Sequence, residues 1–187
     1  MVSLKLLAVE VLGGCPRPPP DIKLFIPGEK SRQTMLFGSK PVLFASENRP
    51  GATAVAHDLK RGMEDRVVVT SETAGATHFL LYLNDQTYVG EAGELLSKEL
   101  RAARAEGSAL KVVMVHENDE ARGGCDFGIF FRRTPQDLLA GGIYKALALA
   151  LYPGPFFPVS VALVAEALGA DKRSGRGAFV TSQATRS

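Results

Sequence analysis

The apolar residues of this chain fall into short continuous runs, and segments with helical spacing lie between them. Such runs predict buried strands, and a repeat of three to four residues predicts helices. Strands that are apolar at every position are typical of a parallel sheet with helices on both faces. The predicted strands are VLFAS after Pro41, RVVVT, HFLLYLN and LKVVMVHE, and the predicted helices between them begin near Ala52 and Gly93.

The part of the chain after the fourth strand has weaker signals. Thr134-Pro135 predicts a helix start, and Gly141-Gly142 predicts the end of that helix. We expect the segment FGIFF to form a further strand or a packed loop. The segments IYKALALALY and VSVALVAEALGA are then predicted to be two apolar helices.

The regular pattern suggests one α/β domain with two extensions. Residues 1–40 contain a proline-rich break, PRPPP, and are interpreted as an N-terminal extension or linker. Residues 41–170 carry the strand and helix pattern. Residues 171–187 are polar and are predicted to be a disordered tail.

One acidic residue interrupts the apolar face of a predicted helix. At about 100° per residue, Glu99 falls on the same side of its helix as Leu95, Leu96 and Ala103. A carboxylate there is costly unless it is paired or used in a site. Glu99 is therefore the candidate catalytic residue.

Polar residues follow two of the predicted strands and are candidates for binding a ligand. They are Ser46 and Asn48 after the first strand, and Asn84 and Tyr88 after the third. Ligands of open α/β sheets bind at the carboxyl ends of the strands. We expect these four side chains near Glu99. The alternative is that they belong to ordinary polar loops.

A second polar cluster follows the fourth strand but does not have metal-site spacing. His116, Glu117, Asp119, Cys125 and Asp126 match no standard zinc pattern. We interpret them as a solvated loop and predict no metal.

Composition narrows the class of protein. The chain has 187 residues and a formal net charge of +2, without the concentrated basic face that nucleic-acid binding requires. Its apolar runs are shorter than a membrane span. Only two cysteines are present, Cys15 and Cys125, which favours a reduced, cytoplasmic protein, with a disulfide between them as the alternative. We therefore predict neither nucleic-acid nor membrane partners.

The segments FLLYLNDQTY, ELLSKELRAARAEG and KVVMVHENDEARGGCDFGIFF resemble the TIR (Toll/interleukin receptor) family, in particular TIR-like modules of large multidomain proteins of protists and algae. In that family a helix after a strand and polar loop carries a glutamate followed by leucine, and Glu99-Leu100 occupies this place. The resemblance implies a flavodoxin-like sheet of about five parallel strands in the order 2-1-3-4-5.

We consider three alternative functions, of which the resemblance implies the first two. The first is signalling by association with like TIR-type domains, and the absence of the family's aromatic-cysteine pair near Leu95-Leu96 favours it. The second is NAD glycohydrolase activity, in which Glu99 acts as the catalytic acid on the nicotinamide-ribose bond. The third is nucleotide binding without turnover. NAD is thus the expected substrate or ligand, and no other cofactor is implied.

Overall fold

The computed structural model describes Val11 and residues 35–172. Between residues 35 and 172, strands and helices alternate along most of the chain. Their bounds are β1 Met35–Phe37, β2 Val42–Phe44, α1 Ala52–Gly62, β3 Val68–Thr70, β4 His78–Leu83, α2 Gly90–Ala103, β5 Lys111–Glu117, α3 Gly128–Arg133, α4 Gln136–Ala140, β6 Leu149–Leu151, α5 Phe157–Ala167 and β7 Ala170–Lys172. Two short 3-10 turns, Glu120–Arg122 and Gly154–Phe156, precede α3 and α5.

Five of these strands form one parallel sheet in the order β3-β2-β4-β5-β6. Counting only these five in chain order gives 2-1-3-4-5, which is the flavodoxin-like order. Strands β4 and β5 form the longest pair of the sheet, in register from His78↔Lys111 to Leu83↔His116. The predicted α/β fold with a parallel sheet of about five strands is confirmed.

Helices cover both faces of this sheet, since the side chains of a strand alternate between the two sides. In β4, Leu80 and Tyr82 pack with α1 and α5, whereas Phe79, Leu81 and Leu83 pack with α2, α3 and α4. All six side chains of β4 are buried. This explains why the strand is apolar at nearly every position.

Two predictions for the second half of the chain are wrong. FGIFF contributes helix α3, not a strand or loop, and the predicted apolar helix IYKALALALY instead contains β6. A short apolar run does not distinguish a strand from a helix by periodicity alone. Strand pairing determines the structure of this segment. Leu149 and Leu151 of the outer strand β6 lie opposite Val115 and Glu117 of β5.

A second, two-stranded sheet joins the ends of the described region. Strands β1 and β7 pair antiparallel, with Met35 opposite Lys172 and Phe37 opposite Ala170. The predicted disordered tail, residues 171–187, begins too early, because Asp171 and Lys172 belong to β7. The rest of that tail, the proline-rich segment and Cys15 lie outside the described residues. In the described part of the chain, no helix has the length and apolar character needed to cross a membrane.

Candidate functional site

The candidate site lies where the connections from neighbouring strands diverge. The chain leaves β2 toward α1 on one face of the sheet, and it leaves β4 toward α2 on the other face. Such a topological switch point opens a crevice at the carboxyl edge of a parallel sheet. Ser46 and Asn48 lie on the first connection, and Asn84 and Tyr88 lie on the second.

Glu99 is held at this point by the loop that follows β2. Ser46 Oγ donates a hydrogen bond of 2.9 Å to Oε1 of Glu99. Asn48 Nδ2 donates one of 3.3 Å to the same oxygen. The second carboxylate oxygen, Oε2, is buried and has no hydrogen-bond partner. One oxygen therefore fixes the orientation of the carboxylate, and the other retains its capacity to accept hydrogen bonds.

The position of Glu99 on its helix differs from the sequence prediction. The buried face of α2 consists of Gly93, Leu96, Ser97, Leu100 and Ala103, so Glu99 lies at the border of that face and is half-buried. The prediction placed Glu99 within the apolar face and did not include Gly93 or Ser97 in it. Both are buried because the helix packs closely there, and the Ser97 hydroxyl donates 2.8 Å to the Gly93 carbonyl within the same helix.

Arg49 is buried beside the site and joins its two loops. Its guanidinium Nη2 donates to the carbonyl oxygen of Tyr82, to Thr87 Oγ1 and, at 3.4 Å, to Asn84 Oδ1. The residue is only 4% exposed, and among the described residues no carboxylate forms an ion pair with it. Burial lowers the pKa of Arg49 to about 10.

Asn84 holds the loops together and makes no side-chain hydrogen bond to Glu99. Its amide Nδ2 donates 3.3 Å to the Pro50 carbonyl, and its Oδ1 accepts from Arg49 and from the backbone N–H of Gln86. The side chain is buried. Asn84 therefore uses most of its hydrogen-bonding capacity to hold the two loops together.

Tyr88 is half-buried and has an uncommon backbone conformation, with φ at 59°. Its hydroxyl is buried beside the hydroxyls of Tyr144 and Thr134, although no contact between them meets strict hydrogen-bond geometry. Burial, with the neighbouring Tyr144, raises the pKa of Tyr88. Non-glycine residues in the left-handed region are enriched at functional sites.

Three buried side-chain atoms in the described residues have no hydrogen-bond partner: Arg49 Nε, Tyr88 Oη and Glu99 Oε2. All three belong to residues that line the switch point or act on it. Unpaired buried polar atoms are rare, and each one calls for an explanation. For Glu99 Oε2, a bound ligand with a hydroxyl donor would supply the missing partner.

The polar cluster at the end of β5 is structural, and its interpretation as a solvated loop is wrong for Glu117. Glu117 is buried, and its Oε2 accepts 2.8 Å from the Tyr82 hydroxyl. Its Oε1 accepts from the backbone N–H groups of Asn118 and Asp119. His116 Nε2 lies 2.8 Å from the Cys125 carbonyl oxygen. Within the described residues, no group of three His, Cys, Asp or Glu residues could hold a metal ion.

Sequence reasoning gave little weight to two residues of the site. Neither Arg49 nor Thr87 is among the residues that the sequence predicts for the site. The available signal was weak: a cation follows one parallel strand, and hydroxyl and amide groups follow the next. The two connections meet because both strands end at the same edge of the sheet.

We compared the chain with models of protein families, with curated proteins and with solved structures, and none of these comparisons gave a match. The similarity to TIR-like modules therefore stays a prediction from the sequence motifs.

Proposed function

We propose that this domain is TIR-like and binds an NAD-type ribonucleotide in the crevice between β2 and β4. The observation that carries the proposal is the state of the Glu99 carboxylate. Ser46 and Asn48 fix Oε1, while Oε2 is buried and unpartnered. A ribose offers neighbouring hydroxyl donors that suit such an oxygen, and a hydrogen bond to a charged acceptor is among the stronger ones.

The topology supports the same ligand class. Open α/β sheets of this strand order bind nucleotides at the switch point, outside the carboxyl ends of the strands. Here the switch point holds Glu99, Tyr88 and Arg49, which carry the three unpartnered atoms. Without a ligand, the desolvation of Glu99 Oε2 would stay uncompensated.

The reaction we propose is hydrolysis of the nicotinamide-ribose bond. The bond between C1′ of the ribose and the ring nitrogen breaks, and nicotinamide leaves with the bonding electron pair. A water oxygen then bonds to C1′ and releases a proton, so that NAD⁺ and water give ADP-ribose, nicotinamide and H⁺. The Glu99 carboxylate would orient the ribose and stabilise the cationic ribosyl group as it forms.

Release of nicotinamide from NAD tests this proposal. The wild-type protein is compared with Glu99→Gln and with Glu94→Gln, which removes an exposed carboxylate from the same helix. We expect release by wild type and Glu94→Gln, and a loss of at least 100-fold in Glu99→Gln. Equal rates in all three proteins would refute the role of Glu99. Binding of NAD without release by any of them would leave the nucleotide-binding alternative.

Association with like domains is the second candidate function, and an exposed apolar surface favours it. Tyr152 and Phe156 are each about half exposed, and their rings lie 6.5 Å apart after the edge strand β6. Leu147, before that strand, is 92% exposed. The small net charge of the chain does little to oppose self-contact.

Sedimentation over a range of concentrations tests the association. We expect wild type to associate more as its concentration rises, and Tyr152→Lys/Phe156→Lys to remain monomeric. A wild-type protein that is strictly monomeric at several hundred micromolar would contradict this second proposal. The binding of NAD is measured on the same samples, so that the two candidate functions are decided separately.

A further inference from the structure

The loop after β2 is a closed turn whose side chains contact two different parts of the structure. The backbone N–H of Arg49 donates 3.2 Å to the Ser46 carbonyl oxygen, which closes a turn of four residues. From this turn the side chains of Ser46 and Asn48 point to Glu99. The side chain of Arg49 goes instead to the end of β4.

Arg49 therefore fixes the turn relative to the neighbouring strand. Its Nη2 group meets three acceptors, which are the Tyr82 carbonyl, Thr87 Oγ1 and Asn84 Oδ1. Thr87 Oγ1 also accepts 2.8 Å from the Asn84 backbone N–H, so the acceptors belong to one ordered loop. A planar guanidinium presents its donors in a fixed arrangement, which an ammonium does not reproduce.

The environment of Arg49 indicates that its geometry matters more than its charge. The side chain is almost fully buried, and in the described residues it has neutral acceptors and no carboxylate. Burying a cation without a counter-ion costs free energy, and truncating such a residue leaves its partners unpaired. An uncharged residue would avoid the first cost but would not join the two loops.

We propose that Arg49 is a positioning residue, which holds the Ser46–Arg49 turn against the end of β4 and thereby places Ser46 and Asn48 on Glu99. The proposal rests on the proposed function for the ligand that the carboxylate serves. Arg49 acts through the turn and is not assigned a contact with the ligand.

The test uses two measurements, of which only the second requires a ligand. The first is the side-chain amide cross-peak of Asn48 in a ¹⁵N–¹H spectrum, assigned by its absence in Asn48→Asp. The second is the affinity for ADP-ribose by calorimetry. The proteins are wild type, Arg49→Gln, Arg49→Lys and Glu99→Gln, with Arg61→Gln as the matched control because Arg61 is exposed and pairs with Asp58 on α1.

We expect the Asn48 cross-peak of Arg49→Gln to move to the position that it has in Glu99→Gln, and ADP-ribose to bind at least tenfold more weakly. Arg49→Lys should recover part of both effects, and Arg61→Gln should change neither. A folded Arg49→Gln protein with the wild-type cross-peak would overturn the proposal. If no protein binds ADP-ribose, the proposed function fails, and the cross-peak still decides the role of Arg49.

A second pair of variants covers the case in which Arg49→Gln does not fold. Thr87→Val removes one acceptor of the guanidinium and keeps Arg49, whereas Thr87→Ser keeps the hydroxyl. We expect Thr87→Val to shift the Asn48 cross-peak in the same direction as Glu99→Gln, and Thr87→Ser to leave it near the wild-type position. An unchanged cross-peak in Thr87→Val would overturn the proposal as well.

Discussion

The hydroxyl of Ser46 lies 2.9 Å from Oε1 of Glu99, although 53 residues separate them in the chain. Ser46 is buried and Glu99 is half-buried, so this hydrogen bond to a carboxylate is partly shielded from water. It connects the loop after β2 to helix α2 at the switch point of the sheet. The carboxylate is thereby held in one orientation.

Replacing Ser46 by alanine tests this contact. We expect Ser46→Ala to reduce the free energy of unfolding by about 1–2 kcal/mol, since a donor to a charged acceptor is lost. The affinity for ADP-ribose should also fall, because Glu99 keeps only Asn48 as a donor. Urea unfolding and calorimetry measure the two effects. A variant with unchanged stability and unchanged affinity would show that the contact orients nothing.

The buried pair of Tyr82 and Glu117 gives a prediction about stability alone. Tyr82 Oη donates 2.8 Å to Oε2 of Glu117, and burial together with this hydrogen bond raises the pKa of Tyr82. We expect Tyr82→Phe to cost about 1.5–3 kcal/mol of unfolding free energy, because the acceptor is a buried carboxylate. Tyr152→Phe is the control, since Tyr152 is half exposed, and its cost should stay within about 0.5 kcal/mol.

The fold could be predicted from the sequence because local signals and pairing agreed along most of the chain. The runs at β4 and β5 are long and apolar, with aromatic residues in β4 and valines in β5, so a parallel pair was the simplest arrangement. The short strand β6 was mistaken for a helix because alternating alanine and leucine suit both structures. Its pairing with β5 is a contact between distant residues, which a local pattern does not contain.

The site could be predicted only in outline. Residues after parallel strands share one edge of the sheet, and this rule located Ser46, Asn48 and Asn84 near the switch point. It did not indicate which side chains would contact Glu99 and which would hold the loops. Those roles depend on a turn closed by Arg49 and on the burial of Gly93 and Ser97, which a helical wheel counts as polar.

Gly93 gives a prediction in which local preference and packing oppose each other. In a helix interior, alanine is favoured over glycine by about 1 kcal/mol. A Cβ at Gly93, however, would lie 2.3 Å from the carbonyl carbon of Tyr88, and a backbone atom is not easily displaced. We expect Gly93→Ala to destabilise the fold by about 1–3 kcal/mol or more.

Thermal unfolding of Gly93→Ala checks this expectation, with Gly38→Ala as the control. A Cβ at Gly38 would have no neighbour within 4 Å, so that variant should unfold near the wild-type temperature. A Gly93→Ala protein more stable than wild type would mean that α2 moves away from the Tyr88 loop at little cost.

The environment of His78 leads to a prediction of how the free energy of unfolding depends on pH. Burial, together with the neighbouring Lys111, lowers the pKa of His78 in the folded state below its ordinary value of 6.5. The unfolded chain then binds more protons in acid than the folded one does. The contribution is therefore present above about pH 6.5 and is lost as the pH falls through the folded pKa, with a slope of at most about 1.4 kcal/mol per pH unit.

Urea unfolding at pH 7.5 and pH 5.5 measures this effect in wild type, His78→Gln and His57→Gln. We expect wild type and His57→Gln to lose more stability on acidification than His78→Gln does, since His57 is exposed. The same loss in all three proteins would assign the acid sensitivity to other groups.

The most direct test of the central claim is a calorimetric titration of ADP-ribose into wild type, Glu99→Gln and Glu94→Gln. The account predicts that wild type and Glu94→Gln bind with similar affinity and that Glu99→Gln binds at least tenfold more weakly, because its amide replaces the charged oxygen that accepts the ribose hydroxyls. Equal affinity in wild type and Glu99→Gln, or no binding by wild type, would contradict it.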